Sequence, residues 1–146
     1  MAQTLDLSNP VLLALHEYWL SKASGGNLPG RRDIDPIEIP QILDSVFLID
    51  VIRSDAGLRF RYRLTGTKIV QIYQNECTGM WVEDAFPEQA DELIAGYTEA
   101  VESGVATHAR YAAPSPGRDH ITVERLICPL AADGETVDML FGALAF

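Results

Sequence analysis

Two arginines and two aspartates stand close together in the segment Arg31-Arg32-Asp33-Ile34-Asp35-Pro36, just ahead of residues that carry helix-start chemistry. Paired guanidinium groups beside a helix N-terminus can hold an anion, because the Arg fork matches carboxylate or phosphate geometry and the helix dipole favours negative charge. Asp33 and Asp35 supply the other reading, which we put first: the four charges pair with one another or with strand residues and pin the segment to the fold. The remaining reactive residues form no catalytic pattern. Gly66-Thr67-Lys68 lacks the Gly-x-x-x-x-Gly-Lys spacing of a phosphate loop and reads as a helix cap after a strand. His16, His108 and His120 fall on separate elements without metal-ligand spacing, so no metal is expected. Ser115 lies between prolines rather than in a Gly-x-Ser-x-Gly elbow, and Cys77 and Cys128 have no neighbouring His, so no nucleophile and no enzymatic activity are expected.

Composition limits the partners. The formal charge of −10 argues against DNA, RNA or an anionic membrane, whose phosphates are held by Lys and Arg. No stretch approaches the ~20 apolar residues of a membrane span, and Met1-Ala2-Gln3-Thr4-Leu5-Asp6 lacks the basic, apolar start of a secretion signal, so a cytoplasmic location is expected. Two cysteines in unrelated contexts suggest no disulfide framework or zinc knuckle. A chain of 146 residues, 47% of them hydrophobic, has enough apolar material for one real core.

The elements that must position any site follow from periodicity. Asn9 and Pro10 begin a helix in which Leu12, His16, Trp19 and Ala23 recur at helical spacing, and Gly25-Gly26 stops it. Asp35, Pro36 and Glu38 stand where the N-cap, first position and capping-box partner of a second, short helix belong. The turn Asp55-Ala56-Gly57 joins an apolar run over 46–52 to a run over 58–65, a hairpin pattern. In the second run Leu58, Phe60, Tyr62 and Leu64 alternate with Arg59, Arg61 and Arg63, as on a solvated edge strand, whereas the first run is apolar at both parities. Short helical pieces follow at 67–73 and 80–87. Then comes a longer helix with Ala90, Leu93, Ile94, Tyr97 and Val101 on one face and Gly104 as its stop. Runs at 105–113, 120–131 and 136–146, separated by Pro- and Gly-containing turns, read as three more strands, the last apolar enough to be central.

A helix, two strands, a cluster of short helices, one longer helix and three strands resemble the PAS fold with an N-terminal helical extension. The sequence is similar to a family of small bacterial PAS-like proteins of largely unassigned function. The likeness rests on the Arg31–Pro36 segment, Phe60-Arg61-Tyr62-Arg63-Leu64-Thr65-Gly66-Thr67, Thr78-Gly79, Glu124-Arg125-Leu126 and Pro129-Leu130. The resemblance implies an α+β fold: an extension over 1–44 and a PAS-like domain over 45–146, with a five-stranded antiparallel sheet of order 2-1-5-4-3 and short helices on one face. The strands read as buried on both faces then fall in the centre and the arginine-striped strand at an edge. The N-terminal helix should cover part of the other face, with Trp19 and Leu12 as packing residues or as the anchor of a dimer contact.

PAS domains commonly bind a small molecule between the sheet and the short helices. The resemblance places Tyr62, Ile69, Tyr73, Trp81, Phe86, Ile94, Tyr97 and Met139 there, an apolar wall with hydroxyl and indole groups. The same residues serve equally well as a filled core, and the sequence leaves both readings open. No known PAS cofactor is expected: the helix that would carry a haem ligand has no His, and Asn75-Glu76-Cys77-Thr78 does not reproduce the flavin-photosensor motif. The expectation is a sensory or regulatory module that takes a small, partly apolar ligand and acts through a homodimer or a partner protein, by way of the N-terminal helix or the sheet surface. The alternative is a ligand-free dimerisation or docking adaptor.

Overall fold

A computed structural model describes residues 7–114, 117 and 120–146. Ser115 and the first six residues, on which the reading of the N-terminus rests, lie outside the described residues. Helix α1 (Pro10–Lys22) begins as its sequence dictates, with Asn9 Oδ1 accepting from the N–H of Val11 at 2.9 Å and of Leu12 at 3.4 Å. Leu12, Leu15 and Trp19 form its buried stripe, and Trp19 Nε1 donates to the Pro129 carbonyl at 2.8 Å. Both Leu12 and Trp19 are therefore spent on packing within the chain.

Three single turns of 3-10 helix follow, Arg31–Asp33, Pro36–Glu38 and Leu43–Ser45. The helix expected from Asp35 is only one such turn. Its cap forms, with Asp35 Oδ1 accepting from Ile37 N–H at 3.0 Å, but Glu38 does not return to the cap. The Tyr18 hydroxyl accepts the Asp35 N–H at 2.8 Å and donates to Glu38 Oε1 at 2.7 Å, while Lys22 Nζ lies 3.0 Å from the same oxygen. Pro40 then disfavours helical backbone at Ile39 and ends the turn.

The sheet comprises β1 (Val46–Ser54), β2 (Gly57–Thr65), β3 (Thr107–Ala112), β4 (Thr122–Leu130) and β5 (Met139–Ala145), all pairs antiparallel, in the order β2-β1-β5-β4-β3. Between β2 and β3 lie α2 (Thr67–Tyr73), α3 (Val82–Ala85) and α4 (Ala90–Ser103). The two faces bury separate cores. Phe47, Ile49, Phe60, Tyr62, Ile127 and Leu144 pack under α2–α4, and Val46, Leu48, Leu126, Cys128, Phe141 and Ala143 pack under α1 and the 3-10 segment. Among the described residues no helix is long and apolar enough to cross a membrane.

One register step changes the expected alternation of β2. Leu48 pairs with Leu64 but Ile49 pairs with Tyr62, so Arg63 is the extra residue of a bulge. Phe60 and Tyr62 keep the inward face, whereas Leu64 is carried to the opposite face, where it is 44% exposed. The arginines stay largely solvated, and each pairs with a carboxylate. Arg63 Nε and Arg61 Nη2 approach the buried Asp50 carboxylate at 3.1 and 3.6 Å, and Arg59 Nη2 lies 3.7 Å from Glu83. The outer edge of β2 is partly covered as well, since Tyr62 N–H donates to the Met80 carbonyl and Gly79 N–H to the Tyr62 carbonyl.

Gly142 marks the tightest point of the sheet. A Cβ there would collide with the Phe47 ring and come within 2.6 Å of the Leu126 carbonyl oxygen, so β5 tolerates no side chain where Phe47 crosses it. Gly142→Ala is expected to cost about 1–3 kcal/mol by overpacking, measured as a lower midpoint in denaturant unfolding. An unchanged midpoint would refute this close approach.

Candidate functional site

The inward face of the sheet and α2–α4 enclose a space of about 10 Å³, room for roughly one water. Tyr62, Ile69, Tyr73 and Tyr97 line it, joined by Phe47 and Tyr111. Tyr62 stands on the last inward position of β2 before the bulge, Ile69 and Tyr73 one turn apart on α2, and Tyr97 on the buried stripe of α4. Their hydroxyls meet in pairs: Tyr62 with Tyr97 at 3.1 Å and Tyr73 with Tyr111 at 3.2 Å. Burial raises the Tyr62 and Tyr73 phenols well above their ordinary value and pushes Tyr97 up to about 12. Cys77, also against this space, is pushed up to about 11 by burial, and burial raises Cys128 in the other core. Neither thiol is poised as a nucleophile.

The other residues expected in the pocket sit elsewhere. Phe86 packs edge-on against Tyr62 and Tyr73, at centroid distances of 6.1 and 5.4 Å, and lines a separate surface cleft rather than this space. Ile94 packs half-buried on the rim of the same core. Trp81 is outside it: residues 79–81 run along the edge of β2, and the indole lies beneath the guanidinium groups of Arg59, 3.6 Å from the ring centroid, and Arg61, at 5.1 Å. Met139 belongs to the opposite face, packed against the core under α1. An apolar strand covered on both sides gives no parity by which to assign it, which is why Met139 was misplaced.

The structure adds a site residue that the sequence reading used only as a point of family likeness. Arg125, on β4, points into the inward core at 6% exposure, with its guanidinium 5.1 Å from the Tyr97 ring centroid and 5.2 Å from that of Tyr111. Its Nε has no hydrogen-bond partner. Among the described residues no carboxylate forms an ion pair with it. Burial opposes its charge, but Tyr111, Tyr97 and Tyr73 outweigh that effect and leave its pKa above the ordinary value. Gly96 of α4 makes room for it, because a Cβ at that position would overlap Nη2. The available signal was a lone Arg at the parity of Val123 and Ile127, combined with a mid-helix Gly.

Arg31, Arg32, Asp33 and Asp35 do not pair with one another or with the strands. Asp33 Oδ2 accepts from Gly30 N–H at 2.8 Å, Asp35 caps the next turn, and Arg31 Nη1 donates to the Ile34 carbonyl at 2.9 Å. These side chains shape the loop through main-chain groups, and Arg32 is exposed. His16 stacks on Trp19, and His108 Nε2 lies 2.6 Å from Glu124 on the neighbouring strand. Among the described residues no group of three His, Cys, Asp or Glu side chains is placed to hold a metal ion.

A concavity of about 560 Å³ lies on the other face of the sheet. Arg31, Ile34, Ile39 and Leu43 form one wall of this groove, and Leu48, Leu64 and Phe141 the other. The bulge at Arg63 puts Leu64 there.

A family model described as PAS domain matches residues 7–145. Among solved structures, a sensory box sensor histidine kinase from Vibrio cholerae is similar, with a TM-score of 0.50 at 15% identity over 68% of this chain and 79% of that one. At that identity the likeness concerns the fold alone. No curated protein matches the sequence.

The buried phenols carry a pH dependence. Their folded-state values lie above that of an unfolded tyrosine, near 10, so the unfolded chain ionises first and stability falls as pH rises above ~10. Absorbance titration at alkaline pH is expected to show Tyr62, Tyr73 and Tyr97 ionising only above the ordinary tyrosine range or together with unfolding. Ionisation of every tyrosine near pH 10 in a still-folded protein would contradict their burial.

Proposed function

The chain belongs to the PAS domain family, and on that premise we propose that it is a sensory module for a small, partly apolar ligand taken up between α2–α4 and the inward face of the sheet. The observation that carries this reading is the concentration of polar groups inside an otherwise apolar layer: two hydroxyl pairs and the Arg125 guanidinium. A layer needed only for packing gains nothing from them, since each buried polar group costs free energy unless it is well partnered. The space of about 10 Å³ adds a mechanistic condition. A ligand larger than water can enter only if the short helices move, so uptake and conformational change are one event, which a sensor requires.

The output in this reading is a changed association with a second copy or a partner protein. The surface for it is the outward face, where α1 and the 3-10 segment leave the groove beside Leu64 and Phe141 open. That same groove favours the second reading, a docking or dimerisation platform that needs no ligand. Exposed Leu64 and Leu43 at its border are the relevant apolar surface.

Native mass spectrometry of the purified protein separates the two readings. A reproducible co-purifying small mass is expected for the sensor. A clean apo mass, with no thermal shift across a metabolite panel and with self-association lost in Leu64→Asp, would favour the platform.

Tyr97 gives a finer test. Tyr97→Ala removes a core ring and should cost about 3–5 kcal/mol whatever the function. Tyr97→Phe keeps the ring, costs about 1–3 kcal/mol through the stranded Tyr62 hydroxyl, and is expected to weaken binding of the co-purified molecule. Unaltered binding in Tyr97→Phe would remove that hydroxyl from the site.

A further inference from the structure

We infer that Arg125 is the anchor for an anionic group on the ligand, and that the ligand class is a small organic acid; this rests on the sensory reading above. A guanidinium held at 6% exposure without an ion-pair partner among the described residues is an expensive feature. The rings of Tyr97 and Tyr111 compensate in part through cation–π contact. They leave Nε unsatisfied. The chain also accepts a glycine in the middle of α4 to admit this side chain, although Gly in a helix interior costs about 1 kcal/mol relative to Ala. An arginine with no acidic partner among the described residues, lying against the bare face of Gly96, is suited to a carboxylate arriving from outside.

The approach is visible. A cleft of about 170 Å³ between the start of α4 and β3 reaches Arg125, and it shares Leu93 and Tyr111 with the internal space. A carboxylate on Arg125 would thus leave its apolar part toward the tyrosine-lined interior. The volume is comparable to the roughly 150 Å³ that accommodates a benzene, which is room for a short-chain or single-ring acid. The other charged residues of the cleft are Glu92, exposed on α4, and Arg110, which is 3.7 Å from Glu124. Glu92 is not within ion-pair distance of Arg125, and Arg110 carries the same charge as Arg125.

The test uses the purified chain with butyrate and benzoate as probes, and butyramide and benzamide as neutral counterparts, read by thermal shift and calorimetric titration. The acids are expected to bind and raise the melting temperature, and the amides to bind at least thirtyfold more weakly, as expected when a buried charge loses its partner. Arg125→Met should abolish the preference for acids while melting at the same temperature as the parent or higher, because an uncompensated buried charge has been replaced by an apolar chain. Arg125→Lys should retain part of the preference, which keeps the test valid if the Met variant folds poorly. Equal binding of acids and amides, or acid binding unchanged in Arg125→Met, overturns the assignment to Arg125 while the sensory reading stands. Absence of acid binding also overturns it. In that case a neutral co-purifying mass in native mass spectrometry preserves the wider reading, and a clean apo mass removes both.

Discussion

Phe47 and Leu48 are neighbours in β1, both are buried, and they point to opposite faces of the sheet. The same holds for Leu126 and Ile127 in β4 and for Ala143 and Leu144 in β5. A sheet with apolar side chains on both faces must be covered twice, and most of the architecture follows from this requirement. Helices α2–α4, inserted between the two hairpin-like halves of the sheet, supply one cover. The other comes from α1 and the 3-10 turns, anchored by the indole of Trp19 on the Pro129 carbonyl. Pro129 lies within β4, and its carbonyl can serve α1 because the sheet is buried there and some donor must be found for it.

Features written in local chemistry were legible in the sequence. Asn9-Pro10, the Asp55-Ala56-Gly57 turn and the near-continuous apolar runs of β1 and β5 fixed element types, while the strand order came from the family likeness and agreed with those runs. Features that depend on how two strands meet were not legible. The bulge at Arg63 leaves no mark in Arg61-Tyr62-Arg63-Leu64, which alternates perfectly, yet it reverses the face of Leu64 and so creates one wall of the groove. Trp81 went astray for a related reason: an aromatic after a turn glycine looks like core until the segment is seen paired to the rim of β2 beneath two arginines. Within the site, Tyr62 and Tyr97 could be named because they fall on the apolar faces of a clearly alternating strand and a clearly amphipathic helix, and Ile69 and Tyr73 because the family likeness lays the short helices against the sheet. Arg125 could not, since it interrupts a strand that is apolar at both parities.

The inward layer combines good packing with poor electrostatic economy. Its space is nearly filled, its aromatic rings meet edge to face, and the hydroxyls of its tyrosines are paired. Within that order sits a cation whose compensation among the described residues is aromatic rather than acidic. Stability alone would favour an apolar residue at position 125, because a buried charge without a full set of partners is the costlier choice. In the sensor proposed above, that cost belongs to the empty form, and the polar groups would find their partners in the occupied one.

That view also suggests how an inward event could be felt outside. Phe47 lines the internal space and presses across the missing Cβ of Gly142, while its chain neighbours Val46 and Leu48, and Phe141 beside Gly142, line the outward groove. The two surfaces are thus separated by a single residue step along β1 and β5. A close-packed interior does not deform by degrees. Displacing the Phe47 ring to admit a ligand must either strain the β1–β5 ladder or shift it, and a shift would move the side chains that shape the groove. The close approach at Gly142 therefore does more than hold the sheet together: it leaves the Phe47 ring no slack in which to move without moving β5.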